Sequence, residues 1–219
     1  MNTTDILFAA AAEIWNSYNE HPFVLGIQDG TLDKDKFRYY MIQDYLYLED
    51  YAKTFAVGVA KAKSLRVANL FAKYIPVMNG ELNVHDGYLA RLGVTQKEID
   101  STPRSLDNLS YTSYMLRVAY EEGEAEILTA ILACACSYEV IAKKIVKNNP
   151  TSINHEFYGD WIKGYVSESY AEENVILLEE LNCLTENYTE QQTRHLVDIF
   201  VACSRYELEF WEMSWKKRS

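Results

Sequence analysis

The sequence predicts an all-α protein, and three observations carry that expectation. Glycine and proline are scarce, nine and four in 219 residues. The apolar residues between their clusters recur at three- and four-residue spacing, the period of one helix face. No Pro-Gly hairpin signal separates the segments. Repeats and low-complexity linkers are absent, so one domain spanning 1–219 with seven or eight helices is expected, and the 48% hydrophobic content is enough for one sizeable core.

Taken in order, the first segment, MNTTDILFAAAAEIW, is apolar but has no basic stretch before it, and Asp5 and Glu13 interrupt or bound it. It does not read as a signal peptide. A break is expected in HPFVLGIQDG (21–30). Asp33 then stands where a cap would serve a helix over 34–62. Further breaks are expected at IPVMNG (75–80), STPRSLDNLS (101–110), KNNPTSIN (147–154) and NCLTENYT (182–189). Thr189 with Gln192 forms a capping-box pattern ahead of a final helix running to about Trp215.

Charge and composition exclude some functions. A net charge of −11 repels nucleic acid phosphates and anionic membrane surfaces. No run of about 18 apolar residues is evident, so no membrane span is expected. The cysteines, at 134, 136, 183 and 203, show no framework spacing, and free thiols in a cytoplasmic protein are expected. Tyrosine is heavily used, with 17 copies. So many phenols need either a polar pocket or a wet interface.

Polar residues interrupt the apolar stripes. The 34–62 helix carries Phe37, Met41, Asp44, Leu48, Tyr51, Phe55 and Val59 on one face; the last carries Leu196, Phe200, Cys203, Glu207 and Phe210. A central helix carries Ile127, Ile131, Cys134, Tyr138, Ile141 and Ile145, and Leu128, Leu132 and Ala135 make its other faces apolar too. A buried carboxylate must be paired, hydrogen-bonded or protonated. Singly, Asp44 and Glu207 read as structural caps or ion pairs, and Cys134 as a small hydrophobe. Together, two carboxylates, a thiol and several phenols point to a shared internal cavity. Cys134 and Cys136 lie roughly 200° apart around a helix, so they are no disulfide pair. Cys134 and Tyr138 share a face, whereas Cys136 reads as filler.

At these residues the sequence resembles the TenA/thiaminase II family, the aminopyrimidine aminohydrolases of thiamin salvage. The resemblance runs through HPFVLGIQDGTL, FRYYMIQDYLYL (37–48), LSYTSYM (109–115), AEILTAILACACSYEV (125–140), YGDWIKGY (158–165) and SRYELEFWEM (204–213). It implies a haem-oxygenase-like helical bundle that assembles as a homotetramer and uses no cofactor or metal. The implied reaction converts 4-amino-5-aminomethyl-2-methylpyrimidine to its 5-hydroxymethyl counterpart and ammonia, with thiamin cleavage also open to the same pocket. The resemblance places the family's nucleophile on Cys134 and its acid/base on Glu207. Tyr47 and Tyr111 match tyrosines beside the thiol, and Asp44 falls where the ring's amidine-like edge binds. Tyr138 and Tyr165 match substrate-contacting tyrosines, and Phe210 matches an aromatic wall. Many relatives have Pro before the cysteine, an aromatic residue two after it and Glu six after it. Here Ala133, Cys136 and Val140 stand instead, which puts the usual pocket shape in question.

Two rival readings remain. Glu81 and His85 share the stripe Phe71, Tyr74, Met78, Glu81 and His85, and such a pair could ligate iron in a haem-oxygenase-like di-iron oxidase. No second Glu/His pair is evident, and a structural ion pair explains the first. Haem binding through His21 is weaker still. The other rival is a pyrimidine-binding or regulatory protein without turnover.

Overall fold

Ten α-helices and one 3₁₀ turn make up the described residues of the computed structural model. It describes residues 2–218, with the side chains of 77–86 outside that description. The helices are α1 (Thr3–Glu20), α2 (Pro22–Asp29), α3 (Lys34–Lys61), α4 (Leu65–Arg91), α5 (Gln96–Ser101), α6 (Leu106–Glu121), α7 (Glu124–Asn148), α8 (Gly159–Val166), α9 (Glu168–Leu184) and α10 (Glu190–Lys216), with the 3₁₀ turn at Ser152–Asn154.

Local chemistry explains most boundaries. Asp33 caps α3 by accepting from the Asp35 N–H at 2.7 Å. Thr189 and Gln192 close the capping box of α10. At the α1–α2 corner His21 caps α2 through Nδ1, which accepts from the Phe23 N–H, and Pro22 follows at the first helical position, where a missing N–H costs nothing. The same histidine's Nε2 meets Glu212 at 3.1 Å, so both ring nitrogens are engaged within the protein. Gly30 ends α2 with φ of 73°, and a Cβ there would lie 2.5 Å from the His155 ring.

One expected break is not a break. Helix α4 runs through Pro76, although proline has no N–H to give to the Ala72 carbonyl. Packing holds it: α4 lies along α3, and Gly58 lets the Phe71 ring come so close that a Cβ would meet it at 2.7 Å. The helix count exceeds expectation because α2, α5 and α8 are short elements inside or beside the expected loops.

The centre of the bundle is α7, packed against α3, α6, α8, α9 and α10. Its Ile127, Leu128, Ile131, Leu132 and Ile141 are fully buried, each worth about 1.5–3 kcal/mol of burial. By length and mean hydropathy α7 is apolar enough to cross a membrane, although Glu126 and Glu139 interrupt it and no run of about 18 apolar residues occurs, as expected. Yet 83% of its most apolar window is buried inside the bundle, so the core accounts for its apolarity.

Candidate active site

The stripes read from sequence are buried as expected: Met41, Asp44 and Leu48 on α3, Cys134 and Tyr138 on α7, and Cys203, Glu207 and Phe210 on α10 are all less than one-tenth exposed. Where α3, α7, α8 and α9 face one another they leave a cavity of about 420 Å³. Cys134, Asp44, Tyr47, Tyr138 and Tyr165 all line it. Glu207, Tyr111 and Phe210 are not among the residues that line it, yet the charges of Glu207 and Cys134 both reach Tyr47 and Tyr111. Tyr47 links the lining to Tyr111 and Phe210, with its ring 5.2 Å from the first and 5.8 Å from the second.

Glu207 is almost wholly buried at 1% exposure. Burial and the charge of Asp44 push its pKa up to about 8, while the phenols of Tyr111 and Tyr138 act in the opposite sense. That influence spans more than a closed hydrogen bond, because Glu207 Oε2 and the Tyr111 hydroxyl are both buried without a hydrogen-bond partner. Such orphaned polar atoms are costly in a fold and ask for a ligand or water. Burial raises the pKa values of Tyr47, Tyr111 and Tyr138 well above the usual phenol range, and the fields of the Cys134 sulfur and the Glu207 carboxylate add to the rise. Sulfur, carboxylates and phenols therefore share one electrostatic neighbourhood.

The phenols are positioned by the backbone and by each other. The Tyr47 hydroxyl donates to Met115 Sδ at 3.5 Å, a weak acceptor that yields readily to a better one. The Tyr51 hydroxyl donates to the Ile131 carbonyl at 3.2 Å. Tyr138 sits 4.7 Å from the Tyr165 ring, and its hydroxyl accepts from Tyr40, itself reached by the Trp161 indole N–H. Beside Asp44, Gln43 ties α3 to the start of α6. Its side chain accepts from the Ser105 N–H and donates to the Pro103 carbonyl, and the Asn108 amide donates to its backbone carbonyl at 2.7 Å. This clamp sets Tyr111, one turn further along α6, against Tyr47.

The remaining cysteines differ in setting. Cys136 and Cys203 are buried, and desolvation pushes both thiols far up, with Glu139 and Glu207 respectively adding to it. Cys183 is exposed, and the four form no disulfide. Cys136 does not line the cavity. Nor do Ala133 and Val140, and Val140 points outward at 39% exposure. None of the three departures around the thiol is therefore on the cavity wall.

Sequence reasoning missed part of that wall. Trp161, Tyr170 and Asn174 also line the cavity. The signal for Asn174 was present: it interrupts the stripe Tyr170, Asn174, Leu177 and Leu181 on α9 as Asp44 interrupts that of α3.

Residues 8–217 match the TENA/THI-4/PQQC family. The chain belongs to that family. A TENA/THI-4/PQQC relative from Helicobacter pylori, described as an aminopyrimidine aminohydrolase, is 40% identical over 220 residues, 99% of this chain and 100% of its own. The solved structure of a TenA homologue from P. horikoshii OT3 superposes with a TM-score of 0.86 at 32% identity, covering 99% of each chain. A domain from Shewanella denitrificans OS217 described as having a heme oxygenase-like fold superposes with a TM-score of 0.77 at 16% identity, covering 99% of this chain and 93% of its own. The fold is therefore the haem-oxygenase-like all-α bundle expected from the sequence. As for the metal alternative, no group of three His, Cys, Asp or Glu side chains among the described residues is placed to hold an ion. The side chains of Glu81 and His85 lie outside the described residues.

Proposed function

We propose that this protein is an aminopyrimidine aminohydrolase, converting 4-amino-5-aminomethyl-2-methylpyrimidine to the 5-hydroxymethyl compound and ammonia through a covalent adduct on Cys134. One observation carries the reading. A thiol and a carboxylate line the same aromatic cavity, and a second, buried carboxylate of near-neutral pKa feels the charge of the first.

The chemistry needs each of these parts. The exocyclic methylene of such a pyrimidine resists direct displacement. Asp44 binds the ring's 4-amino edge. Glu207, largely protonated near neutrality, gives its proton to a ring nitrogen as the Cys134 sulfur bonds to C6. The adduct is electron-rich. The proton given up by the thiol passes to the amine, the adduct's electron pair forms a double bond to the methylene while the C–N bond breaks, and the nitrogen, now protonated, leaves as ammonia with that bond's electrons. Water adds to the methylene and gives its spare proton to the Glu207 carboxylate; the sulfur–carbon bond then breaks, the ring nitrogen's proton returns to the sulfur, and the ring regains aromaticity. Covalent catalysis thereby divides one hard displacement into easier steps. Tyr47 and Tyr111 donate to the sulfur as it gains charge, Tyr47 giving up its weak bond to Met115 Sδ to do so. Tyr138 and Tyr165 contact the ring, and Phe210 stiffens the wall through Tyr47. The family resemblance supports a homotetramer as the working assembly.

The test compares two neighbouring thiols. Cys134→Ser is expected to lower ammonia release by about a thousandfold or more while the hydroxymethyl product still binds. Cys136→Ala is expected to keep near-normal turnover. Full activity in the first variant, or an equal loss in the second, removes Cys134 from the role of nucleophile.

A further inference from the structure

We propose that Asn174 reads the leaving group, presenting its amide oxygen to the N–H bonds of an amine carried on the pyrimidine's 5-methylene. This rests on the hydrolase reading above and gives it a leaving-group class: amines with N–H bonds, in preference to leaving groups attached through a nitrogen without hydrogen, such as a thiazolium.

Asn174 is 3% exposed and lines the cavity from α9. Its Nδ2 donates to Glu139 Oε2 at 2.6 Å and to the Ala135 carbonyl at 3.3 Å. Both partners are acceptors, so a flipped amide would set oxygen against oxygen twice. The nitrogen must face α7, and both of its hydrogens are used. The oxygen is turned away from those two atoms, and among the described residues no donor reaches it. The Tyr170 hydroxyl, one turn earlier, donates to the same Ala135 carbonyl at 3.0 Å. The nearby Glu173 carboxylate is held by Lys73 at 2.8 Å, which offsets its charge. Asn174 thus offers a neutral acceptor on the α9 side of the cavity.

Its position matters because Ala135, to which it is tied, directly follows Cys134, and both line the cavity. The arm of the substrate is attached at C5, adjacent to the C6 that the sulfur attacks. The departing nitrogen is therefore held close to the thiol-bearing turn of α7. An ammonium there offers hydrogens to Asn174 Oδ1, and the contact favours the protonated form, which leaves readily as ammonia. A site with a buried acceptor discriminates sharply against a ligand that leaves the acceptor unpaired.

The test pairs Asn174→Leu with two substrates, the aminomethylpyrimidine and its N,N,N-trimethylammonium analogue, which keeps the charge but has no N–H. The expected result is a fall in kcat/KM of about ten- to hundredfold for the first and less than about twofold for the second. Equal losses on both would reduce Asn174 to a tie between α9 and α7, and no loss on either would overturn the proposal as well. Asn174→Ala, with less bulk to place, gives the same comparison if the leucine variant does not fold. Should the wild-type protein release neither amine, the hydrolase reading fails by itself. Calorimetric binding of the two compounds then tests Asn174 alone: a loss confined to the aminomethyl compound sustains the assignment, and no differential overturns it.

Discussion

At the residue scale, Glu207 makes the active centre expensive to fold in alkali. Its pKa of about 8 lies far above the ordinary glutamate value of about 4.3. Below that ordinary value both folded and unfolded chains hold the proton, and the carboxyl costs nothing. As pH rises from there to about 8, the unfolded chain releases its proton and the folded protein keeps it, so stability falls by up to about 1.4 kcal/mol per pH unit. Glu207→Gln is expected to abolish that slope, gaining stability over the wild type between about pH 5 and about pH 8 while losing about a hundredfold or more in turnover. Denaturant titrations of the two proteins across this range check it; parallel curves would show that Glu207 is not held protonated by the fold. The identities of Asp44, Cys134 and Glu207 were legible in the sequence because a polar residue in an apolar stripe demands an explanation. What the sequence does not reveal is which buried residue lines the cavity: Cys134 and Asp44 do and Glu207 does not, a distinction helix periodicity cannot carry.

At the element scale, the long helices were legible because each buries a continuous face, and α3 and α10 begin where their caps lie. Pro76 misled because its local cost is overridden by the packing of α4 on α3, which is not a local property. The short helix α8 was hidden in a segment too brief for periodicity, yet it supplies Trp161 and Tyr165 to the cavity. The clamp between α3 and α6 was invisible for a different reason: Gln43, Ser105 and Asn108 are ordinary polar residues until the fold pairs them. It gives a prediction for the element. Asn108→Ala removes the donors that hold Gln43 and is expected to cost about 1–3 kcal/mol, lowering Tm by several degrees. Because Tyr111 rides on the same helix, turnover should fall more than the melting shift explains. A variant that melts early but turns over normally would uncouple the clamp from the site.

At the scale of the whole molecule, the −11 net charge and the apolar α7 describe a protein whose surface and centre are sharply unlike. Its sulfur atoms sample that difference. Cys136 and Cys203 sit in the interior with thiols pushed far up by burial, Cys183 lies on the surface, and Cys134 lines the cavity. Alkylation requires a thiolate that the reagent can touch. Brief iodoacetamide treatment of the native protein is therefore expected to mark residues 183 and 134 alone by peptide mass spectrometry, and saturating hydroxymethylpyrimidine should shield only the latter. The molecule thus carries its own internal standard: one surface label reports reagent dose while the other reports ligand occupancy, so affinity can be measured on mixtures or crude preparations with no turnover assay at all.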